Sequence, residues 1–227
     1  MIFKSAKVSA HEFSNSDLIK INELTLEPLE EQDVFIFKVA MCDNEIDRHF
    51  EAFSLKTLNQ LKSMYVGKTV IKDHLHSSDN QVARIYDTEL ITYPNKLTKN
   101  GDVYTQLVAH CYMLNNESNK DLIAEIKAGI KKEVSVGCSV NKSICSICGI
   151  DIYKSYCNHI VGNTYKNKNC YRILEGANDA YELSLVAVPA QPRAGTIKSF
   201  NNNEIDLQIK LLDIDIFIKS KEITLEV

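Results

Sequence analysis

The spacing of hydrophobic and polar positions changes several times along the chain. In DVFIFKVAMC (33–42), Val34, Phe35, Ile36 and Phe37 open a nearly continuous apolar run, which predicts a strand. A helix follows. Ser54 stands where an N-cap would, and Leu55, Leu58, Leu61 and Tyr65 recur at helical spacing. Gly67 is placed to end that helix as the residue after its last turn. TVIKDH (69–74) predicts a short strand that runs into a polar loop. QVARIYDTELITY (81–93) and DVYTQLVAHCYM (102–113) predict two more, joined by a turn over PNKLTKNG with Asn100 and Gly101 at its tip.

NKDLIAEIKAGIKK (119–132) predicts a second helix, with Leu122, Ile126 and Ile130 along one face. VSVGCSV (134–140) alternates. Val134, Val136, Cys138 and Val140 point one way; Ser135, Gly137 and Ser139 point the other. The pattern dissolves over 145–170 and returns in YRILEGANDAYELSLVAVPA (171–190), whose second half is a strong apolar strand. After an Asn-rich linker at 201–203, the segment 204–227 fits either a strand or a helix stripe, and its isoleucines tip it toward strand. Strands do not alternate regularly with helices, so a parallel βαβ fold is disfavoured. The pattern predicts an α+β, mainly β protein: an antiparallel barrel or curved sheet with flanking helices.

Size and charge narrow the function classes. The chain's 227 residues and 44% hydrophobic content suffice for one sizeable core with a small appendage. No apolar run is long enough to span a membrane, and MIFKSAKVSAHEF lacks the apolar stretch of a secretory signal. The expectation is a reducing cytosol, where seven cysteines serve as thiols, metal ligands or a nucleophile rather than disulfides. A net charge of −4 with interspersed signs and no basic stripe argues against a nucleic-acid partner.

Three residues could form a serine–histidine–carboxylate set. Such a nucleophile needs a base to take its proton and a third group to orient the base. Ser135 lies on a strand, two residues before Gly137; His74 ends a strand; Glu182 begins the last apolar strand. On spacing alone the set is not specific, because solvated serines, capping histidines and exposed glutamates are ordinary. Alternation leaves Ser139 as a rival to Ser135 on the same face, and sends Cys138 to the core side as a buried thiol. Cys42 and Cys111, within strands, also fit buried thiols.

Motifs in order add more. CDNEIDRHFEAFS, GKTVIKDH, QVARIYDTE, NKDLIAEIKAGIKKEVSVGCSV and YELSLVAVPAQPRAG follow one another over most of residues 35–198. In this order they resemble the tailed-phage prohead (capsid maturation) proteases. In that family the serine of Ser-x-Gly is the nucleophile, the histidine ending the Asp-His strand is the base, and the acid before Ser-φ-Val is the third member. The resemblance therefore assigns these roles to Ser135, His74 and Glu182. It departs from the family pattern at Cys138, where an aromatic residue is common. The herpesvirus assemblins, which the family is similar to, use a histidine as third member; His110 is the nearest substitute here and Asp179 a further one.

The resemblance implies an assemblin-type antiparallel β-barrel and a protease domain over 1–198, with 199–227 as a linker and C-terminal segment. It implies a serine endopeptidase that trims scaffolding protein and major capsid protein inside an assembling procapsid, in the host bacterial cytoplasm. A homodimer is implied by analogy with the herpesvirus enzymes. A noncatalytic phage or prophage structural protein that keeps the fold is the competing expectation.

Residues 143–170 form a cysteine-rich insert. In CSICGIDIYKSYCNHIVG, Cys145 and Cys148 make a CxxC followed by Gly149, and Cys157 and His159 a CxH. Four ligands of zinc type in two turn-like pairs fit one closed tetrahedral structural site. Cys170 could replace one of them, and unpaired thiols or a redox CxxC are the alternatives. The insert is too short and polar for a core of its own, so a metal would stabilise its fold. A similar insert occurs in a subset of the prohead proteases, which implies a structural role for the zinc.

Overall fold

The computed structural model describes residues 14–197, so the expectations for 199–227 lie outside the described residues. The chain opens on helix α1 (Asn15–Asn22), closed at its start by a capping box between Ser14 and Asp17. Strand β1 (Val34–Asp43) follows, then β2 (Glu51–Phe53), helix α2 (Leu55–Met64) and β3 (Thr69–Lys72). Strands β4 (Ala83–Leu97) and β5 (Val103–Leu114) form a long hairpin, and α3 (Lys120–Lys127) leads to β6 (Val134–Cys145). The small hairpin β7 (Thr164–Tyr165) and β8 (Lys168–Asn169) belongs to the insert; β9 (Arg172–Leu185) and β10 (Gly195–Ile197) complete the order.

Helix α2 starts where its cap predicts, whereas α1 is a helix the sequence pattern does not predict. Ser54 accepts the Thr57 N–H at the start of α2, and Leu58, Leu61 and Tyr65 are fully buried beneath it. Burial of a leucine of this kind contributes roughly 2 kcal/mol. The α2 end comes one residue earlier than the Gly67 signal predicts: Tyr65 is the C-cap, and Gly67, at φ 80°, turns the chain so that its N–H reaches Ile85 O at 2.8 Å. Helix α3 also ends early, and Gly129 (φ 72°) follows its cap. Ile130 is therefore exposed, while Ile123 and Ile126 carry the buried face. Strand β4 continues through the predicted turn to Leu97, with an irregularity between Tyr93 and Leu97 that accommodates Pro94.

The strands form one mixed sheet in the order β10-β1-β5-β4-β3-β9-β2, with β6 on the other side of β9. β9 is the organising strand. Along one edge it pairs antiparallel with β6 over its length; along the other it pairs parallel with β2 at its start and with β3 at its end. The barrel expectation is corrected here: the sheet is not closed into a barrel. Among the described residues, the chain just before β6 meets β10 at a single bridge, Glu133 to Gly195, rather than a ladder. The glycine permits that approach, since a Cβ on Gly195 would stand 2.7 Å from Lys132 O. The coarser class, α+β and mainly β, holds.

The core lies beneath α2, which contributes Leu58, Leu61 and Tyr65 to it. Val134, Val136, Cys138 and Val140 of β6 all pack toward it, as alternation predicts. The partner strand does not alternate so simply. Gly137 faces Glu182 but Cys138 faces Ala180, and Ser139 faces Asp179 but Val140 faces Ala177. Tyr181 and Asn178 are the extra residues of two bulges in β9. The first bulge lets Ala180 join the core while Glu182, two residues on, stands opposite Gly137 on the other face.

Candidate functional site

His74 follows β3 in an unusual backbone. Asp73 (φ 54°) and His74 (φ 55°) are consecutive left-handed residues, and neither is glycine. Each such residue costs roughly 1 kcal/mol, though aspartate and histidine tolerate the region better than most. The surrounding hydrogen bonds hold them there. Asp73 N–H donates to Leu185 O at 2.9 Å, and His74 N–H donates to Ser184 Oγ at 2.9 Å. Asn80 Nδ2 donates to both Lys72 O (2.7 Å) and Leu75 O (2.9 Å), tying the loop back on itself. This turn brings the imidazole to the Glu182 carboxylate while leaving the ring half-exposed.

The imidazole meets Glu182. Nδ1 of His74 lies 2.8 Å from Glu182 Oε1. Glu182 is 1% exposed, whereas the histidine side chain is 43% exposed. A carboxylate in its ionised form only accepts, so this contact favours the tautomer in which Nδ1 donates and Nε2 faces away from Glu182. Among the described residues the other carboxylate oxygen, Oε2, is buried with no hydrogen-bond partner. Glu182 fits here because its cross-strand neighbour is Gly137: a Cβ at that position would stand 2.4 Å from Oε1. The Gly137 carbonyl in turn accepts from the buried Tyr65 hydroxyl at 3.0 Å, which anchors this part of β6 to α2.

Ser135 lies directly opposite Ser184 on the β6–β9 ladder, two pairs along from Gly137–Glu182. Paired residues of an antiparallel ladder share a face. Ser135, Gly137, Glu182 and Ser184 therefore line one surface, and Ser184 also touches the His74 backbone. No hydrogen bond among the described residues joins Ser135 to the His74 ring.

The other candidates go elsewhere. Ser139 lies opposite Asp179, beyond the Tyr181 bulge, and accepts from Asn178 Nδ2 at 3.3 Å. Asp179 is half-exposed, 3.7 Å from Lys68. His110 belongs to a separate cluster, with Nε2 at 2.8 Å from Glu89 Oε1. That contact, ahead of a nearby lysine, Lys38, holds the Glu89 carboxyl down at about 2. Cys138 is turned to the core, and burial pushes its thiol up to about 11. Cys42 and Cys111 are buried, and burial raises both thiols. None of these thiols is poised as a thiolate nucleophile.

The role of Ser184, the hydroxyl contact of Tyr65 and the left-handed backbone of Asp73 and His74 are not predicted by the sequence pattern. Ser184 is visible there as the serine of Ser-φ-Val and as a hydroxyl set between leucines in YELSLVAVP. The Lys-Asp-His run carried a faint signal too, since aspartate is among the residues that accept a left-handed backbone.

The second cluster sits at the far end of the same ribbon. Cys145 ends β6, and Cys148, Cys157 and His159 fold over it so that one ligand atom from each lies within 4.8 Å of the others. Cys148 Sγ and Cys157 Sγ are 3.5 Å apart, as are Cys157 Sγ and His159 Nδ1. A tetrahedral metal with bonds near 2.3 Å requires ligand separations of about 3.8 Å, so the donors fit one ion. All seven cysteines are free thiols.

The knuckle turns at Gly149 (φ 73°), whose N–H donates to Cys145 O at 2.9 Å. Burial opposes ionisation of Cys145, but the N–H groups of Cys148 and Ile147 outweigh it and bring the thiol down to about 6. An ionised thiol is the metal-binding form. Arg172 braces the far side, donating to His159 O at 3.1 Å. Tyr165 packs edge-on against the His159 ring. Cys170 is buried beside the cluster but outside the four-atom group, and burial with the neighbouring Cys145 pushes its thiol up to about 11.

A cavity of about 190 Å³ is lined by Ser135, Val136 and Cys138 of β6 together with Met41, Asp47 and Glu51. No helix among the described residues is long and apolar enough to cross a membrane. Comparisons of the chain with family models, with curated proteins and with solved structures found no match.

Proposed function

We propose that the chain is a serine endopeptidase with Ser135 as nucleophile, His74 as base and Glu182 as the residue that orients the base. One observation carries the reading: a buried carboxylate grips Nδ1 of a half-exposed histidine, on the sheet face that also bears Ser135. In the mechanism, Ser135 Oγ attacks a peptide carbonyl while His74 Nε2 takes its proton. His74 then gives that proton to the departing amine. Water, deprotonated by the same Nε2, splits the acyl-enzyme and restores the serine hydroxyl. Glu182 holds the ring in the required tautomer and stabilises its charged form.

The ordered motifs of the sequence direct this activity to scaffolding protein and major capsid protein within an assembling procapsid in the bacterial cytoplasm, with self-association as a dimer. The Cys145, Cys148, Cys157 and His159 cluster is assigned to one structural zinc ion. Three thiols and one imidazole in a closed set suit zinc and leave no position open for catalysis.

A noncatalytic role for the same fold is favoured by the lack of a hydrogen bond between Ser135 and His74. Such bonds are often long without substrate, so function decides. Co-expression with the cognate scaffolding protein should give cleaved scaffold, and Ser135→Ala should abolish the cleavage while the chain stays folded. Undiminished cleavage by that variant rules out the assignment.

A further inference from the structure

We infer that Ser184 is a positioning residue for His74: its buried hydroxyl takes the His74 N–H and locks the left-handed turn that brings the imidazole onto Glu182. The endopeptidase reading is needed only for the consequence in activity, because the geometry can be tested on the folded chain alone.

The argument starts from the strain. Two successive non-glycine residues in the left-handed region relax to ordinary conformations unless their surroundings over-determine them. Two contacts hold their N–H groups. Leu185 O takes that of Asp73, continuing the parallel pairing of β3 with β9. Ser184 Oγ takes that of His74, the one side chain among the described residues to do so. Asn80 grips the carbonyls on either side but neither of these N–H groups.

Ser184 is fully buried, so its hydroxyl stays in place, and an unmet N–H beside it would be costly. It also occupies a fixed place in the ladder. Ile71 flanks it on β3 and Ser135 on β6, while Glu182 lies two residues earlier on the same strand and face. One hydroxyl thus ties the position of the histidine to the strand that carries its carboxylate. Without it, the ring loses its aim although Glu182 and Ser135 stay where they are.

The test uses the full chain, ¹⁵N-labelled, with His74 followed by NMR. The wild type should show a protected Nδ1–H and a slowly exchanging His74 amide. Ser184→Ala should lose the Nδ1–H signal and speed exchange of that amide at least tenfold, with the rest of the spectrum preserved. Ser184→Thr, which keeps the hydroxyl, should retain both. Adding Asp73→Gly to Ser184→Ala should restore much of the Nδ1–H signal, since glycine adopts the left-handed region without strain.

If the alanine variant does not fold, Ser184→Cys, similar in size but a poor acceptor, should show the same loss. Wild-type behaviour of His74 in whichever of these two variants folds overturns the inference. In parallel, a fluorophosphonate probe reads the nucleophile: the Ser135 Oγ–P bond forms, P–F breaks, fluoride leaves and the serine proton passes to His74. Ser184→Ala should slow labelling at least tenfold and move the pH of half-maximal labelling, which a simple packing defect would not do. A wild-type chain that never labels counts against the endopeptidase reading, and the NMR result still decides the role of Ser184.

Discussion

The two ends of the β6–β9 ribbon hold the two clusters, and they are built in opposite ways. At the far end, Cys145, Cys148, Cys157 and His159 come from one short stretch, and a tight knuckle brings them together. At the near end, Ser135, His74 and Glu182 come from three strands or strand ends distant in sequence, and only the register of the sheet makes them neighbours. The ends are ten residues apart along β6, roughly 30 Å at the rise of an extended strand. A locally encoded site would depend on the ion it holds; a register-encoded site depends on the core. Each should therefore fail while leaving the other intact.

The largest effect belongs to Gly137→Ala. The new Cβ cannot coexist with Glu182 Oε1 at 2.4 Å, so the carboxylate must leave His74. Displacement of a catalytic group by about 1 Å costs about a hundredfold in rate. Scaffold cleavage should fall by that order, while metal content stays at wild-type level; a fall in metal content would couple the two ends and break the contrast.

Metal removal is the converse. Chelation, or Cys145→Ser, should release about one zinc ion per chain and let the amides of 145–170 exchange near solvent rates, because the insert has little else to hold it. The amides of Leu183 and Leu185, in the core, should stay protected. Loss of protection there would show that the ion supports the whole ribbon.

A smaller effect lies outside both ends. Glu89 is held at about 2 by His110, with Lys38 adding to it. Its folded value lies below its unfolded one, so its stabilisation is present above about pH 4.3 and is lost as pH falls toward 2. Because Glu89 is 42% exposed, solvent screening keeps the contribution modest. Glu89→Gln should reduce the acid-induced drop in melting temperature over that window and leave both clusters intact at neutral pH.

The same contrast explains what was legible in the sequence. CxxC-Gly and CxH are local spacings, and the four ligands come together as they predict. Caps such as Ser14 and Ser54 are local as well; Ser54 marked the start of α2 correctly. The alternation of VSVGCSV gave the faces of β6 but not the bulges in β9, which depend on the pairing of two strands. Without those bulges the sequence could not separate Ser135 from Ser139, or Glu182 from Asp179. Register does so, by setting Gly137 against Glu182 and Ser139 against Asp179. Closure was misjudged for a similar reason: strand count does not reveal that, among the described residues, the chain just before β6 meets β10 at a single bridge. Ile130 failed because Gly129 ends α3 before the apolar stripe does.

The most direct test of the central claim is where a fluorophosphonate attaches. Intact-mass and peptide mapping of the labelled full chain should give one adduct, on Ser135, with labelling abolished by His74→Ala and strongly slowed by Glu182→Gln. An adduct on Ser139, or Ser135 labelling that persists without His74, would contradict the account.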